Sequence, residues 1–216
     1  METSSNFSST PAGVTAAELS SLTEHDFVLV IDASGSMDTA DMKGRSRWDY
    51  MQETAEQFAG AMGKLDGDGI DIVFFSGMLD NGVKSYPKVT ADKVAALFAA
   101  HRPSGSTPLA EALTEALKFA GQSDKPDFVM IFTDGVPDSR DAAAAVIRNA
   151  SNKLSADGDL TFLFIQVGYD AKATAYLREL DDNLKGAKFD IVDAMTISEA
   201  EKFPSVAAMV IKAIND

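Results

Sequence analysis

The 216-residue chain contains no cysteine, only two histidines and only one tryptophan. Without cysteine it forms no disulfide and offers no thiol nucleophile, a composition that fits a cytoplasmic protein. No stretch approaches the roughly 20 consecutive apolar residues that a membrane-spanning helix requires. The first 13 residues lack both the basic start and the apolar core of a secretory signal. We therefore expect a cytoplasmic protein with no membrane span.

Basic residues are also scarce in this chain. Lysine and arginine total 19 against 33 aspartate and glutamate residues, which gives a formal net charge of −14. This balance disfavours nucleic acid as a partner, because binding to a phosphate backbone requires clustered positive side chains. The acidity promotes solubility, and it also favours cations and basic partners. The apolar fraction of 45% and the length indicate one globular domain.

Short apolar runs alternate with helical patterns from about residue 24 onward. The predicted strands are 26–31, 70–75, 83–86, 128–132, 161–167 and 189–192, and 83–86 is a short edge strand. The predicted helices are 47–62, 91–100, one beginning at Pro108, 139–154, 172–180 and 205–214. This alternation predicts a three-layer, Rossmann-like α/β fold. The sheet should be doubly wound and mostly parallel, with one short antiparallel edge strand and helices on both faces.

The N-terminal segment differs in composition from the rest. Residues 1–23 are predicted to form a flexible arm, and residues 24–216 form the domain. Within the arm, Thr15 and Glu18 have the spacing of a capping box and are able to start a short helix.

Two buried strands end in acidic residues. The first runs into Asp32-Ala33-Ser34-Gly35-Ser36, and the second runs into Thr133-Asp134-Gly135. The i, i+2, i+4 spacing of Asp32, Ser34 and Ser36 aims one carboxylate and two hydroxyls at a single point, which suits a small hard cation. Two aspartates at the carboxyl edge of one sheet repel each other unless a cation lies between them or one is protonated.

A simpler interpretation of the first loop is a turn in which the hydroxyls satisfy main-chain donors. Met37 is expected to pack beneath this loop. Asp38 and Asp41 follow in a polar segment, and we interpret them as exposed carboxylates rather than as a second metal site.

Three motifs together resemble the von Willebrand factor A domain. They are Asp32-Ala33-Ser34-Gly35-Ser36, Gly105-Ser106-Thr107-Pro108-Leu109 and Phe132-Thr133-Asp134-Gly135, in the order that the family has them. The resemblance extends from about residue 24 to the C-terminus. The second motif is similar to the Gly-x-Thr-Pro-Leu of bacterial and intracellular members.

The resemblance implies a metal-ion-dependent adhesion site. Ser34 and Ser36 would bind the ion directly, Thr107 directly or through water, and Asp32 and Asp134 largely through water. The ion would be Mg²⁺, or alternatively Mn²⁺ or Ca²⁺, because all the ligands are oxygen atoms. The family commonly completes such a site with an Asp or Glu carboxylate from a protein partner. The implied function is a non-catalytic adaptor or assembly module.

Two other functions remain open at this point. A metal-assisted phosphohydrolase would also place aspartates and Mg²⁺ at a sheet edge. Against it, Ser34 stands where a second aspartate would follow Asp32, no Gly-x-x-x-x-Gly-Lys-Ser/Thr loop occurs, and no histidine adjoins Ser34 or Ser36 in the sequence. In the third hypothesis, the metal stabilises the fold and the partner docks elsewhere.

Overall fold

The computed structural model describes residues 11–66 and 69–215. The strands are β1 (Asp26–Asp32), β2 (Ile70–Phe75), β3 (Val83–Val89), β4 (Asp127–Thr133), β5 (Leu160–Gln166) and β6 (Val192–Thr196). They form one sheet in the order β3-β2-β1-β4-β5-β6, in which only the β2–β3 pair is antiparallel. This arrangement confirms the predicted mostly parallel sheet with an antiparallel edge strand.

Helices connect the strands and cover both faces of the sheet. They are α1 (Ala16–Leu22), α2 (Arg47–Asp66), α3 (Ala91–Ala100), α4 (Leu109–Phe119), α5 (Arg140–Ser151), α6 (Ala171–Asn183), α7 (Ile197–Ala200) and α8 (Val206–Ile214). Among the described residues, no helix has both the length and the apolar character needed to cross a membrane.

The core lies in two layers because side chains alternate along each strand. In β1, Leu29 and Ile31 pack into a cluster that includes residues of α1, α2, α3, α7 and α8. Val28 and Val30 point to the opposite face and pack with residues of α4, α5 and α6. Every residue of β4 is buried. These strands are apolar on both faces because helices cover both sides.

Trp48 belongs to the first of these core layers. The indole is 8% exposed, and its ring centroid lies 4.5 Å from that of Phe98 and 5.8 Å from that of Phe74. Trp48 therefore packs α2 against the sheet and against α3.

The last strand differs from the prediction at residues 189–192. β6 begins at Val192, and Val192 is its only buried residue. Upstream of it, the Phe189 N–H donates to Ser151 Oγ at 2.8 Å, and the Ile191 carbonyl accepts from Phe162 N–H at 2.7 Å. An edge strand is covered less completely than a central one and does not need a continuous apolar sequence. The apolar residues at 189–192 therefore lead into β6 and do not form it.

The strand at the other edge of the sheet, β3, begins where the sequence predicts it. β3 contains Pro87 and continues to Val89, three residues beyond the predicted end. Proline is tolerated there because β3 is the outermost strand and one side of it needs no ladder hydrogen bond.

Part of the predicted N-terminal arm lies outside the described residues, namely residues 1–10. The short helix expected at Thr15 is present as α1, and Thr15 and Glu18 form the capping box. Leu22 is buried, and Ser205 Oγ, at the start of α8, donates to the Ala12 carbonyl at 2.7 Å. The division of the chain between residues 23 and 24 stays a prediction.

Candidate metal site

The polar loops that follow β1 and β4 meet where the sheet reverses its winding direction. From β1 the chain crosses to β2 on one side, whereas from β4 it crosses to β5 on the other. The two central strands pair in register from Asp26 opposite Asp127 to Ile31 opposite Phe132, so their carboxyl ends are level. Asp32 and Asp134 therefore emerge side by side. Such a switch point is where open α/β sheets bind ligands.

Asp32 is the innermost residue of the candidate site and is fully buried. Its Oδ1 accepts the Ser34 N–H at 2.8 Å, and its Oδ2 accepts the Thr133 hydroxyl at 2.7 Å. Burial, followed by the charge of Asp134, raises the pKa of Asp32 to about 6. Hydrogen bonds from Ser34 and Thr133 hold the carboxylate in place, but they do not offset the loss of water around its charge.

The serine hydroxyls link Asp32 to Asp134. Ser34 Oγ and Ser36 Oγ lie 3.1 Å apart, and Ser36 Oγ donates to Asp134 Oδ1 at 2.7 Å. The short 3₁₀ turn Gly35–Asp38 carries Ser36 and buries Met37, as the sequence predicts. Hydrogen bonds therefore connect four of the five predicted ligands, and the link to Asp32 runs through the main-chain N–H of Ser34. The four are Asp32, Ser34, Ser36 and Asp134.

The loop that carries Thr107 lies against the first motif. The Gly105 carbonyl accepts the Gly35 N–H at 3.1 Å, which brings the second motif against the first. Thr107 makes its hydrogen bonds through its main chain, since Asp138 Oδ1 accepts its N–H at 3.0 Å and the Asp138 N–H donates to its carbonyl at 3.0 Å. Asp138 follows β4, so it ties the second motif to the third. The sequence alone did not single out this role.

Arg47 is a further site residue that the sequence analysis missed. Its Nη1 donates to Asp134 Oδ2 at 2.6 Å, while Nε and Nη2 donate to the two carboxylate oxygens of Asp41 at 3.0 and 2.6 Å. The hydrogen bonds from Arg47 lower the pKa of Asp41, which is therefore an ion-pair partner and not an isolated exposed carboxylate. Asp38, in contrast, is exposed as expected.

The donor set fits a hard divalent cation. Within residues 11–66 and 69–215, no group of three or more His, Cys, Asp or Glu side chains is placed to hold a metal. The candidate site instead combines the two carboxylates with hydroxyl groups, all of them oxygen donors of the kind that Mg²⁺, Mn²⁺ and Ca²⁺ prefer. The raised pKa of buried Asp32 adds a physical reason, because a nearby cation favours the charged form of this carboxylate.

Neither histidine lies at this site. The His25 Nδ1 is 3.0 Å from the Ser21 carbonyl, and the His101 Nε2 is 3.0 Å from the Tyr86 hydroxyl. Burial, with a smaller contribution from Lys84, lowers the pKa of His101. Neither imidazole is placed to activate the hydroxyl of Ser34 or Ser36 as a nucleophile.

The fold and the loops define a doubly wound α/β domain with oxygen donors from three loops at its switch point. Residues 27–136, just over half of the chain, match the family model of the von Willebrand factor type A domain. The chain therefore belongs to the von Willebrand factor type A domain family. No curated protein sequence matches it significantly.

Solved structures with a similar fold include a pilus adhesin, a minor pilin and a metal-loaded protein. The adhesin SpaC from Lactobacillus rhamnosus GG is 17% identical with a TM-score of 0.56, over 88% of this chain and 29% of its own. The PilB minor pilin from Streptococcus sanguinis is 13% identical with a TM-score of 0.62, over 88% and 62%. Manganese-loaded TRAP from Plasmodium vivax is 16% identical with a TM-score of 0.59, over 89% and 74%.

These similarities concern the fold, because the identities are low. The chain spans less than two thirds of the adhesin and of the pilin.

Proposed function

We propose that this chain is a non-catalytic protein-binding module of the bacterial and intracellular type, acting as an adaptor or assembly component. The proposed ligands of a divalent cation are Asp32, Ser34, Ser36, Thr107 and Asp134. The observation that carries the proposal is the linked cluster of Asp32, Ser34, Ser36 and Asp134 at the switch point of the sheet.

Each residue has a distinct task in this proposal. Ser34 and Ser36 present neutral hydroxyl oxygens to the ion, and Asp32 and Asp134 hold its water ligands. Thr107 is the proposed ligand that binds directly or through water, and Asp138 fixes its main chain. When bound, Mg²⁺, or alternatively Mn²⁺ or Ca²⁺, would supply an electrophilic centre that attracts a carboxylate of the partner. Mostly neutral direct ligands leave that centre in need of an anion.

The comparisons support this function by analogy. Similar folds occur in a pilus adhesin and a minor pilin, and one similar protein has been crystallised with manganese. The net charge of −14 favours a basic surface around the donated Asp or Glu and disfavours nucleic acid. A cytoplasmic location stays a prediction from the composition.

Catalysis is less well supported. The site carries two aspartates and no neighbouring imidazole, and both histidines are engaged elsewhere. We therefore propose protein recognition rather than hydrolysis.

The experiment compares the wild type with Ser34→Ala. This change removes one proposed ligand and leaves the net charge and the hydrogen bond from the Ser34 main-chain N–H to Asp32 in place. Ser104→Ala is a matched control, because its hydroxyl donates only to the Arg102 carbonyl in the neighbouring loop. Partners are captured from the source lysate in Mg²⁺ and in EDTA.

The proposal expects a partner that the wild type and Ser104→Ala retain only in Mg²⁺ and that Ser34→Ala loses. Re-binding of the purified partner with and without its candidate acidic residue then tests the carboxylate. Equal retention in all conditions contradicts metal-bridged recognition. If Mg²⁺ raises the melting temperature while retention is insensitive to EDTA, the metal is structural and the partner docks elsewhere.

A further inference from the structure

One side chain already places a positive charge on the candidate site. Arg47 is the first residue of α2, and its side chain is 11% exposed. It donates through Nη1 to Asp134 and through the opposite edge of the guanidinium to both oxygens of Asp41. The Asp134 side chain has no exposed surface. A permanent cation is therefore buried against one of the two aspartates that face the site.

The surrounding backbone is shaped to hold this guanidinium. Gly168, in the loop after β5, has a φ of +77°, and a Cβ at that position would lie 2.6 Å from Arg47 Cζ. Only a residue without a side chain leaves room for the guanidinium there. The hydrogen bonds to Asp41, followed by those to Asp134, raise the pKa of Arg47 above its ordinary value. The charge is thus fixed in position by contacts from three loops.

We propose that Arg47 is the resident counter-cation of the site and sets its affinity for the divalent ion. This inference rests on the proposed function. Arg47 is a positioning residue in this role, because it acts through Asp134. It engages Oδ2, so that Oδ1 is the oxygen that faces Ser36. A divalent ion then binds beside a positive charge and receives only part of the attraction that Asp134 would otherwise supply.

Arg47 is shared between two carboxylates. Asp32, Asp134 and Asp41 together carry three negative charges, and Arg47 offsets one of them. A divalent cation therefore brings this group of charges close to neutrality. Removing the charge of Arg47 leaves Asp134 and Asp41 without their counter-ion, so the site should then attract a divalent cation more strongly.

The test measures the binding of Mn²⁺ alone, using the electron paramagnetic resonance signal of the free ion. The full chain is compared with Arg47→Met, which keeps the bulk of the side chain and removes its charge. Arg45→Met is the matched control, because Arg45 lies two residues earlier and pairs with Glu53. We expect Arg47→Met to bind Mn²⁺ at least about tenfold more tightly than the wild type, whereas Arg45→Met stays within about twofold.

Arg47→Lys and a double variant complete the experiment. Lysine restores a charge without the bidentate fork, so Arg47→Lys should return most of the way to the wild-type affinity. Adding Ser34→Ala to Arg47→Met should weaken binding again, which places the ion at this site. If Arg47→Met loses its native circular dichroism spectrum, Arg47→Gln takes its place, since its amide is able to bond to one aspartate.

The outcomes separate the two proposals. Equal affinities of Arg47→Met and Arg45→Met, with the wild type binding Mn²⁺ as well, overturn the role of Arg47 and leave the metal site intact. Absence of binding in the wild type and in every folded Arg47 variant refutes the metal site, and the inference with it. Binding in Arg47→Met but not in the wild type supports the inference in its strongest form.

Discussion

Replacing Asp32 by asparagine should stabilise the protein in EDTA at neutral pH. The change preserves the size of a fully buried side chain and removes its charge. The amide oxygen is able to accept the Ser34 N–H as Oδ1 does. The Thr133 hydroxyl, which donates to Oδ2, must turn to accept a hydrogen from the new NH₂ group.

The magnitude follows from the pKa of Asp32. Burial and the charge of Asp134 raise this pKa from 3.8 to about 6 in the folded chain. This change in pKa corresponds to a free energy of about 3 kcal/mol. The reoriented Thr133 hydrogen bond costs about 1 kcal/mol. We therefore expect Asp32→Asn to raise the free energy of unfolding by about 2 kcal/mol at pH 7.5.

The pH dependence has a definite sign. Because the folded-state pKa is raised, the contribution of Asp32 to stability is present below pH 3.8 and is lost as the pH rises through about 6. The advantage of Asp32→Asn should therefore shrink between about pH 7 and pH 4. Urea unfolding measures it, with the fluorescence of the single, buried Trp48 as the signal.

Adding Mg²⁺ should reverse the order of stability. The wild type gains RT ln(1 + [Mg²⁺]/Kd), and the variant, which lacks one proposed site carboxylate, gains much less. The reasoning is refuted if Asp32→Asn is less stable than the wild type in EDTA at pH 7.5, or if Mg²⁺ stabilises both equally.

Two further predictions concern positions around the sheet. Asp127 is buried, its Oδ1 has no hydrogen-bond partner, and burial raises its pKa to about 7. The contribution of Asp127 to stability is lost as the pH rises from 3.8 through about 7. The free energy of unfolding of Asp127→Asn, relative to that of the wild type, should therefore rise by about 1–2 kcal/mol between pH 5 and pH 8, a value reduced for partial solvent contact. A pH-independent difference in urea unfolding would contradict this. Gly168→Ala should destabilise the protein by about 1–3 kcal/mol more than Gly158→Ala, since both glycines have positive φ but only the first would press a Cβ into Arg47. Equal melting temperatures of these two variants would show that the guanidinium moves aside at no cost.

The central part of the sheet is predictable from the sequence because its cause is local. β1 and β4 are apolar along almost their whole length. β1 ends at Asp32, and β4 ends at Thr133, directly before Asp134. Because parallel strands present their carboxyl ends at one edge of the sheet, the loops after β1 and β4 are both expected at that edge. The adjacency of β1 and β4, which makes Asp32 and Asp134 neighbours, is a matter of strand order and does not follow from the apolar pattern.

Contacts between distant loops were not predictable in the same way. Asp138 bonds to the main chain of Thr107, 31 residues away, and nothing in the sequence distinguishes it from the other acidic residues. β6 was placed too early for a related reason. The apolar Phe189 and Ile191 make main-chain hydrogen bonds to α5 and β5 before the strand begins, and periodicity does not distinguish such a bonded approach from a strand.

The position of Arg47 at the start of a helix is unusual for a basic residue, and this feature is visible in the sequence. Arg47 occupies the first position of α2, where the partial positive charge of the helix N-terminus disfavours a cation by roughly 0.3–1 kcal/mol. A salt bridge that only stabilised the fold would be better placed at the other end of a helix. The carboxylates of Asp41 and Asp134 offset the unfavourable position, and the result is a buried cation beside the aspartates of the switch point. A basic residue at a helix start, next to loops rich in aspartate, is therefore a reason to look for a charge that serves a site.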